Sequence, residues 1–107
     1  MSEAELPFEI QAEQALEAFA LAIEDSGAEV EVDLAGGVLT IELPDGRHYV
    51  VNRHAAMRQI WVASPIGGAR HYRPADGRWV DTRDGSDLAA RLGEELTAAT
   101  GTPVRLP

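Results

Sequence analysis

The sequence predicts an α+β fold, a two-layer sandwich in which an antiparallel sheet of about six strands carries the N- and C-terminal helices on one face. Three observations predict it. Apolar residues recur at helical spacing near both ends of the chain, short runs of period two fill the middle, and Gly-containing turn signals separate those runs. A chain of 107 residues suits one domain over residues 1–107, long enough to bury one core and too short for two.

The first helix is expected from about Pro7 to Asp25, because Phe8, Ala12, Ala15, Leu16, Phe19 and Ile23 fall on one face. Gly27 suits the left-handed position after a helix, and Glu29 to Leu34 then alternates acidic with apolar residues, as a half-buried strand does. The chain turns at Gly36-Gly37, runs β-rich from Val38 to Leu43, turns at Asp45-Gly46 and continues from Arg47 to Val51. Arg58 to Ala63 reads as a fourth strand and Ser64 to Ala69 as a loop; short strands follow around Tyr72 and Trp79, split by Asp76-Gly77. Asp84-Gly85-Ser86 offers N-cap candidates for a second helix. Leu88, Leu92, Leu96 and Ala99 keep helical spacing up to Gly101 and Pro103.

Charge is unevenly placed. Residues 1–46 hold 12 acidic and no basic side chains, whereas residues 47–107 hold six acidic and nine basic, which gives the net charge of −9. That balance argues against nucleic acid and anionic membranes as partners, since phosphate binding rests on clustered cations. No apolar run approaches the roughly 20 residues of a membrane span, and Met1 to Phe8 lacks the basic start and apolar centre of a signal peptide. A cytoplasmic protein is expected. With no cysteine, disulfides, thiolate metal sites and thiol nucleophiles are excluded, so a metal would have to sit on oxygen or imidazole.

At the helical step of about 100° per residue, Glu9, Glu13, Glu17 and Glu24 share the solvent stripe of the first helix. Solvated stripes normally mix signs, and here the i,i+4 neighbours repel. The helix dipole favours Glu9 but opposes Glu24 and Asp25 in the last turn, by about 0.3 to 1 kcal/mol each. Glu29, Glu31 and Asp33 share one side of the next strand, with edge protection as the competing explanation. Such a one-sided field concentrates cations. All-carboxylate sites suit hard cations, but the calcium-loop pattern is absent and a weak, distributed site or a docked basic patch is what these residues offer. In the fourth strand Gln59 and Trp61 face opposite to Ile60 and Val62. If Ile60 and Val62 meet the helices, Trp61 stands on the open face beside Asn52, a plausible protein-binding hot spot.

The order of motifs resembles the bacterial branch of the frataxin family. The matching blocks are Gly36-Gly37-Val38-Leu39-Thr40-Ile41, Tyr49-Val50-Val51-Asn52-Arg53, Gln59-Ile60-Trp61-Val62-Ala63-Ser64-Pro65, Trp79-Val80, Asp84-Gly85 and the Leu-rich closing helix. The resemblance implies weak iron binding (Fe2+ or Fe3+) at an acidic ridge and a role in iron-sulfur cluster assembly as iron donor or regulator. It implies contact with a cysteine desulfurase and its scaffold protein. It assigns the ridge to Glu24, Asp25, Glu29, Glu31 and Asp33, and the partner surface to Asn52, Arg53, Gln59 and Trp61. A monomer is expected, with oligomerisation on iron as the alternative. Ala20, Leu21 and Ala22, where relatives often carry acids, together with uncharged Ser26 to Ala28, imply fewer iron sites.

Two other functions compete: a purely protein-docking acidic module, and a ferroxidase that oxidises and stores iron. Di-iron oxidation generally needs a buried Glu-x-x-His pair, and the first helix has no histidine; His48, His54 and His71 come later and suit the surface or a partner contact. No catalytic residue is expected, and Ser, His and Asp show no triad spacing. Only Thr102 to Pro107 follow the second helix to cover the groove between the helices, so modest stability is expected. Thermal unfolding should show a midpoint within the mesophile range of about 45–65 °C.

Overall fold

The apolar stripe Phe8, Ala12, Leu16, Phe19 and Ile23 is buried along α1 (Phe8–Asp25) in the computed structural model, which describes residues 6–107. Glu3 and Glu5 of the acidic stretch, and most of the segment weighed as a leader, lie outside the described residues. Pro7 starts α1 without a side-chain cap, accepting instead from the backbone N–H groups of Ile10 and Gln11. At the other end the Ser26 hydroxyl donates to the Ile23 carbonyl and Gly27 adopts φ 76°, which turns the chain out of the helix.

Six strands follow: β1 (Glu31–Ala35), β2 (Val38–Glu42), β3 (His48–His54), β4 (Gln59–Ser64), β5 (Gly68–Ala75) and β6 (Arg78–Asp81). They form one antiparallel sheet in sequence order, before α2 (Leu88–Thr100). The expected α+β architecture is therefore present, with differences at boundaries. β1 starts at Glu31 because a tight turn, Val30 N–H to the Ala28 carbonyl, leaves Glu29 in a bend. The expected loop Ser64 to Ala69 shrinks to Pro65–Gly67: the Ser64 hydroxyl accepts from the N–H groups of Ile66 and Gly67, closing a hairpin tight enough for Gly68 and Ala69 to pair with Ser64 and Ala63. Arg58 sits in the turn before β4 with φ 53°. The N-cap of α2 is Asp87, which accepts from the Ala90 N–H at 3.0 Å, rather than Asp84 or Ser86.

The register sorts the sheet into two faces. Val32, Ile41 and Tyr49 form one row, Leu34, Leu39, Val51 and Val62 the next, and Ile60 pairs with Tyr72 in a third. These rows meet α1 and the buried Leu88, Leu92 and Leu96 of α2, so both helices cover the same face. The tail after α2 is anchored by Val104, whose N–H donates to Thr97 Oγ1 at 2.9 Å. Gly93 permits that approach, since a Cβ there would lie 2.9 Å from the Val104 carbonyl oxygen. Leu106 and Pro107 lie beside Phe19 of α1 and Ala90 of α2, as expected of a segment covering the groove.

Opposite the β1 edge, Asp81 is a buried carboxylate, 2% exposed. It accepts from Arg70 Nη1 at 3.0 Å and from the Arg83 N–H at 2.7 Å. Burial alone would raise its pKa, but these bonds outweigh burial and hold it below the usual carboxylate range. The neighbouring Asp84 is held at about 2, chiefly by the Ser86 hydroxyl and N–H and then by Arg70. Asp81→Ala should cost about 2–4 kcal/mol in urea unfolding, because it strips the Arg83 N–H and Arg70 of an acceptor in a desolvated place. Both carboxyls titrate lower folded than unfolded, so their contribution is present above the ordinary carboxylate range of about 4 and lost as pH falls through the folded values, which for Asp84 is about 2. An acid unfolding series should show that window.

Candidate functional site

The acidic residues gather along the edge formed by β1 and the end of α1, in two layers. Glu31 and Asp33 point to the open face of the sheet, opposite in parity to Val32 and Leu34. Glu24 and Asp25 stand exposed in the helical layer, in a last turn that holds no basic residue. Glu29 occupies the bend between the layers. Glu29 and Glu31 line a shallow depression together with Glu42, an acid the sequence reading did not single out. The register places Glu42 directly opposite Glu31 across the β1–β2 hairpin. The two-residue Gly36-Gly37 turn was the signal that fixes this pairing.

No ion pair among the described residues reaches Glu24, Asp25, Glu29, Glu31, Asp33 or Glu42. Nor, among the described residues, do three His, Asp or Glu side chains converge tightly enough to hold a metal ion. The arrangement offers dispersed hard-oxygen ligands rather than a cage. Because β1 is an edge strand, its charges also oppose sheet-to-sheet pairing. Leu21, 64% exposed, lies on the same helical stripe between Glu17 and Glu24.

The second constellation occupies the open face of the central strands. Ile60 and Val62 are buried beneath the helices, which turns Gln59 and Trp61 outward. Asn52 lies directly across from Trp61 on β3. Arg53 does not join them: it pairs with buried Ile60, and its guanidinium lies against Gly37. Trp61 Nε1 donates to Gln59 Oε1 at 2.8 Å. The indole is sandwiched between two imidazoles, His54 from β3 at a centroid distance of 3.8 Å and His71 from β5 at 4.2 Å.

The face-to-face Glu31 and Glu42 carboxylates should cost stability. Glu42→Gln should raise unfolding free energy by about 0.2–1 kcal/mol at low salt, with the gain shrinking as salt screens the pair.

Comparison with known proteins places the chain among relatives of one kind. The family model for the frataxin-like domain matches residues 2–102. The "Iron-sulfur cluster assembly protein CyaY" of Paraburkholderia phymatum is 38% identical over 96 residues, covering 90% of each chain. The protein of the same name from Vibrio cholerae is 35% identical over 89 residues, covering 83% of this chain and 85% of its own. Among solved structures, the frataxin of Psychromonas ingrahamii superposes with a TM-score of 0.86 at 28% identity over 98% of this chain and 97% of that one. A trimeric yeast frataxin complexed with ferrous iron superposes with a TM-score of 0.76 at 31% identity over 85% of this chain and 86% of that one. With the family model spanning nearly its whole length and the sheet and helices in the same arrangement, this chain belongs to the frataxin-like family.

Proposed function

We propose that this chain is a non-enzymatic accessory of iron-sulfur cluster assembly in the cytoplasm, with iron as its cargo. Glu24, Asp25, Glu29, Glu31 and Asp33, joined by Glu42, hold the metal weakly. Asn52, Gln59 and Trp61 contribute to contact with a cysteine desulfurase and its scaffold protein, while Arg53, on the opposite side of β3, stands apart from that surface. The observation that carries this reading is the row of carboxylates along the β1 edge with no cation among them. It is supported by relatives named for cluster assembly and by a structural neighbour complexed with ferrous iron.

Hard carboxylate oxygens suit iron, and spreading them over a helix end, a bend and two strands keeps the metal exchangeable, as a donor requires. Ferroxidase chemistry fits less well, because the dispersed acids supply no buried di-iron cage. The protein is read as a monomer without iron; a yeast neighbour is a trimer, so iron-dependent assembly is the variation to look for.

Leu21 favours a second use of the same ridge. An iron site gains nothing from an exposed leucine between carboxylates, whereas a partner with a basic and apolar surface gains a desolvated contact there.

In an NMR titration, Fe2+ should shift the amide signals of Glu24, Asp25, residues 29–33 and Glu42 and leave β4 and β5 unmoved; a ridge that stays silent sinks the iron reading. The doubly substituted Glu24→Ala, Asp25→Ala protein should bind the desulfurase more weakly in metal-free buffer. Full binding by that variant would confine the ridge to metal.

A further inference from the structure

The three-ring stack on the open face has a role that the docking reading does not require. We infer that His54 and His71 are positioning residues which clamp Trp61 in its partner-binding orientation, so that the scaffold protein meets a preformed slab of three ring edges. This inference rests on the reading of Trp61 as a docking residue.

The geometry behind it is specific. Trp61 stands on β4, between β3 and β5. His71 is its direct cross-strand partner and His54 its diagonal one, beside Asn52 and Gln59. The rings are nearly parallel, with interplanar angles of 14° and 11°, so both faces of the indole are covered. Its single donor is committed to Gln59. A partner therefore cannot stack on Trp61 by a face or receive its N–H without dismantling the cluster. It meets the indole edge, the two imidazole edges and the Asn52 amide.

Holding a half-buried surface tryptophan in one rotamer before contact removes an ordering cost that the complex would otherwise bear. The flanking imidazoles supply that order by covering both indole faces at centroid distances of 3.8 and 4.2 Å, closer than the usual range of about 4.5–7 Å for aromatic pairs. β3, β4 and β5 carry no acidic residue, whereas β1 and β2 present Glu31, Asp33 and Glu42 to the same open face. The part of the partner seated on the stack is accordingly neutral or acidic.

The test measures binding of the iron-sulfur scaffold protein from the same organism to metal-free protein, together with 15N relaxation of the Trp61 indole N–H. Trp61→Ala should abolish or strongly weaken binding. His54→Ala and His71→Ala should each weaken it about three- to ten-fold and mobilise the indole, while His54→Phe and His71→Phe, which keep a planar ring, should restore both. Equal thermal midpoints across the series exclude unfolding as the cause. If Trp61→Ala weakens binding but the two alanine variants do not, docking stands and the positioning role is overturned. If the phenylalanine variants fail to rescue, the imidazoles are themselves the contact and positioning is overturned. A harmless Trp61→Ala removes the docking reading, and the positioning role with it.

Discussion

The apolar row Leu34, Leu39, Val51 and Val62 crosses four strands beneath the helices, and it holds the register of the sheet in place. A strand has a side-chain period of two, so a one-residue slip of β4 would carry Val62 and Ile60 to solvent and swing Trp61 and Gln59 under the helices. The same parity decides where the carboxylates go. While Val32 and Leu34 pack inward, Glu31 and Asp33 have no choice but the open face. Core packing and surface chemistry are thus one constraint: the burial that stabilises the sheet also sets its outward row of functional groups.

Much of this was readable from residues alone, and the reasons are physical. The first helix announced itself by six apolar positions on one face, and the observed α1 differs by a residue at its start. The outward placement of Trp61 followed once Ile60 and Val62 were taken as core, because alternation leaves no other side. The less legible features depend on pairing between strands. Glu42 opposes Glu31 through the β1–β2 hairpin, and the ring stack joins residues from three strands, so neither shows in any local window. Arg53, assigned to the partner surface by the resemblance, adjoins Asn52 in sequence, and adjacency in a strand sends it to the opposite face. The expected loop at Ser64 to Ala69 failed for a local reason, as the Ser64 hydroxyl satisfies two N–H groups and lets the strand resume early.

The segregation of charge along the sequence has a counterpart in space. The sheet keeps sequence order, so the acid-rich first half forms the β1 edge and the arginine-rich second half the opposite edge. There Arg70, Arg78 and Arg91 are engaged by Asp81, Asp84 and Asp87, around β6 and the start of α2. Asp81, Asp84 and Asp87 thus meet arginines, whereas among the described acids of the first half only Asp45 does, through Arg47. Exposed ion pairs contribute little, but Asp81 is desolvated, so this network fastens the beginning of α2 to the sheet.

That division lets the β1 edge carry unneutralised charge. Repulsion between Glu31 and Glu42, and the unfavourable helix dipole at Glu24 and Asp25, each act at the solvent surface, where single effects amount to tenths of a kcal/mol up to about 1. The core beneath them, with Leu16, Ile23, Leu39, Ile41 and Tyr49 essentially inaccessible, is worth far more. An edge strained in this way gains when a cation arrives, because binding relieves repulsion as well as adding attraction. The carboxylates are therefore poised for a positively charged ligand by the same features that make them costly without one. Their dispersal over two layers limits the affinity any single metal ion can reach. On the iron-donor reading proposed above, such a ridge would release the metal readily, as a donor must and a storage site must not.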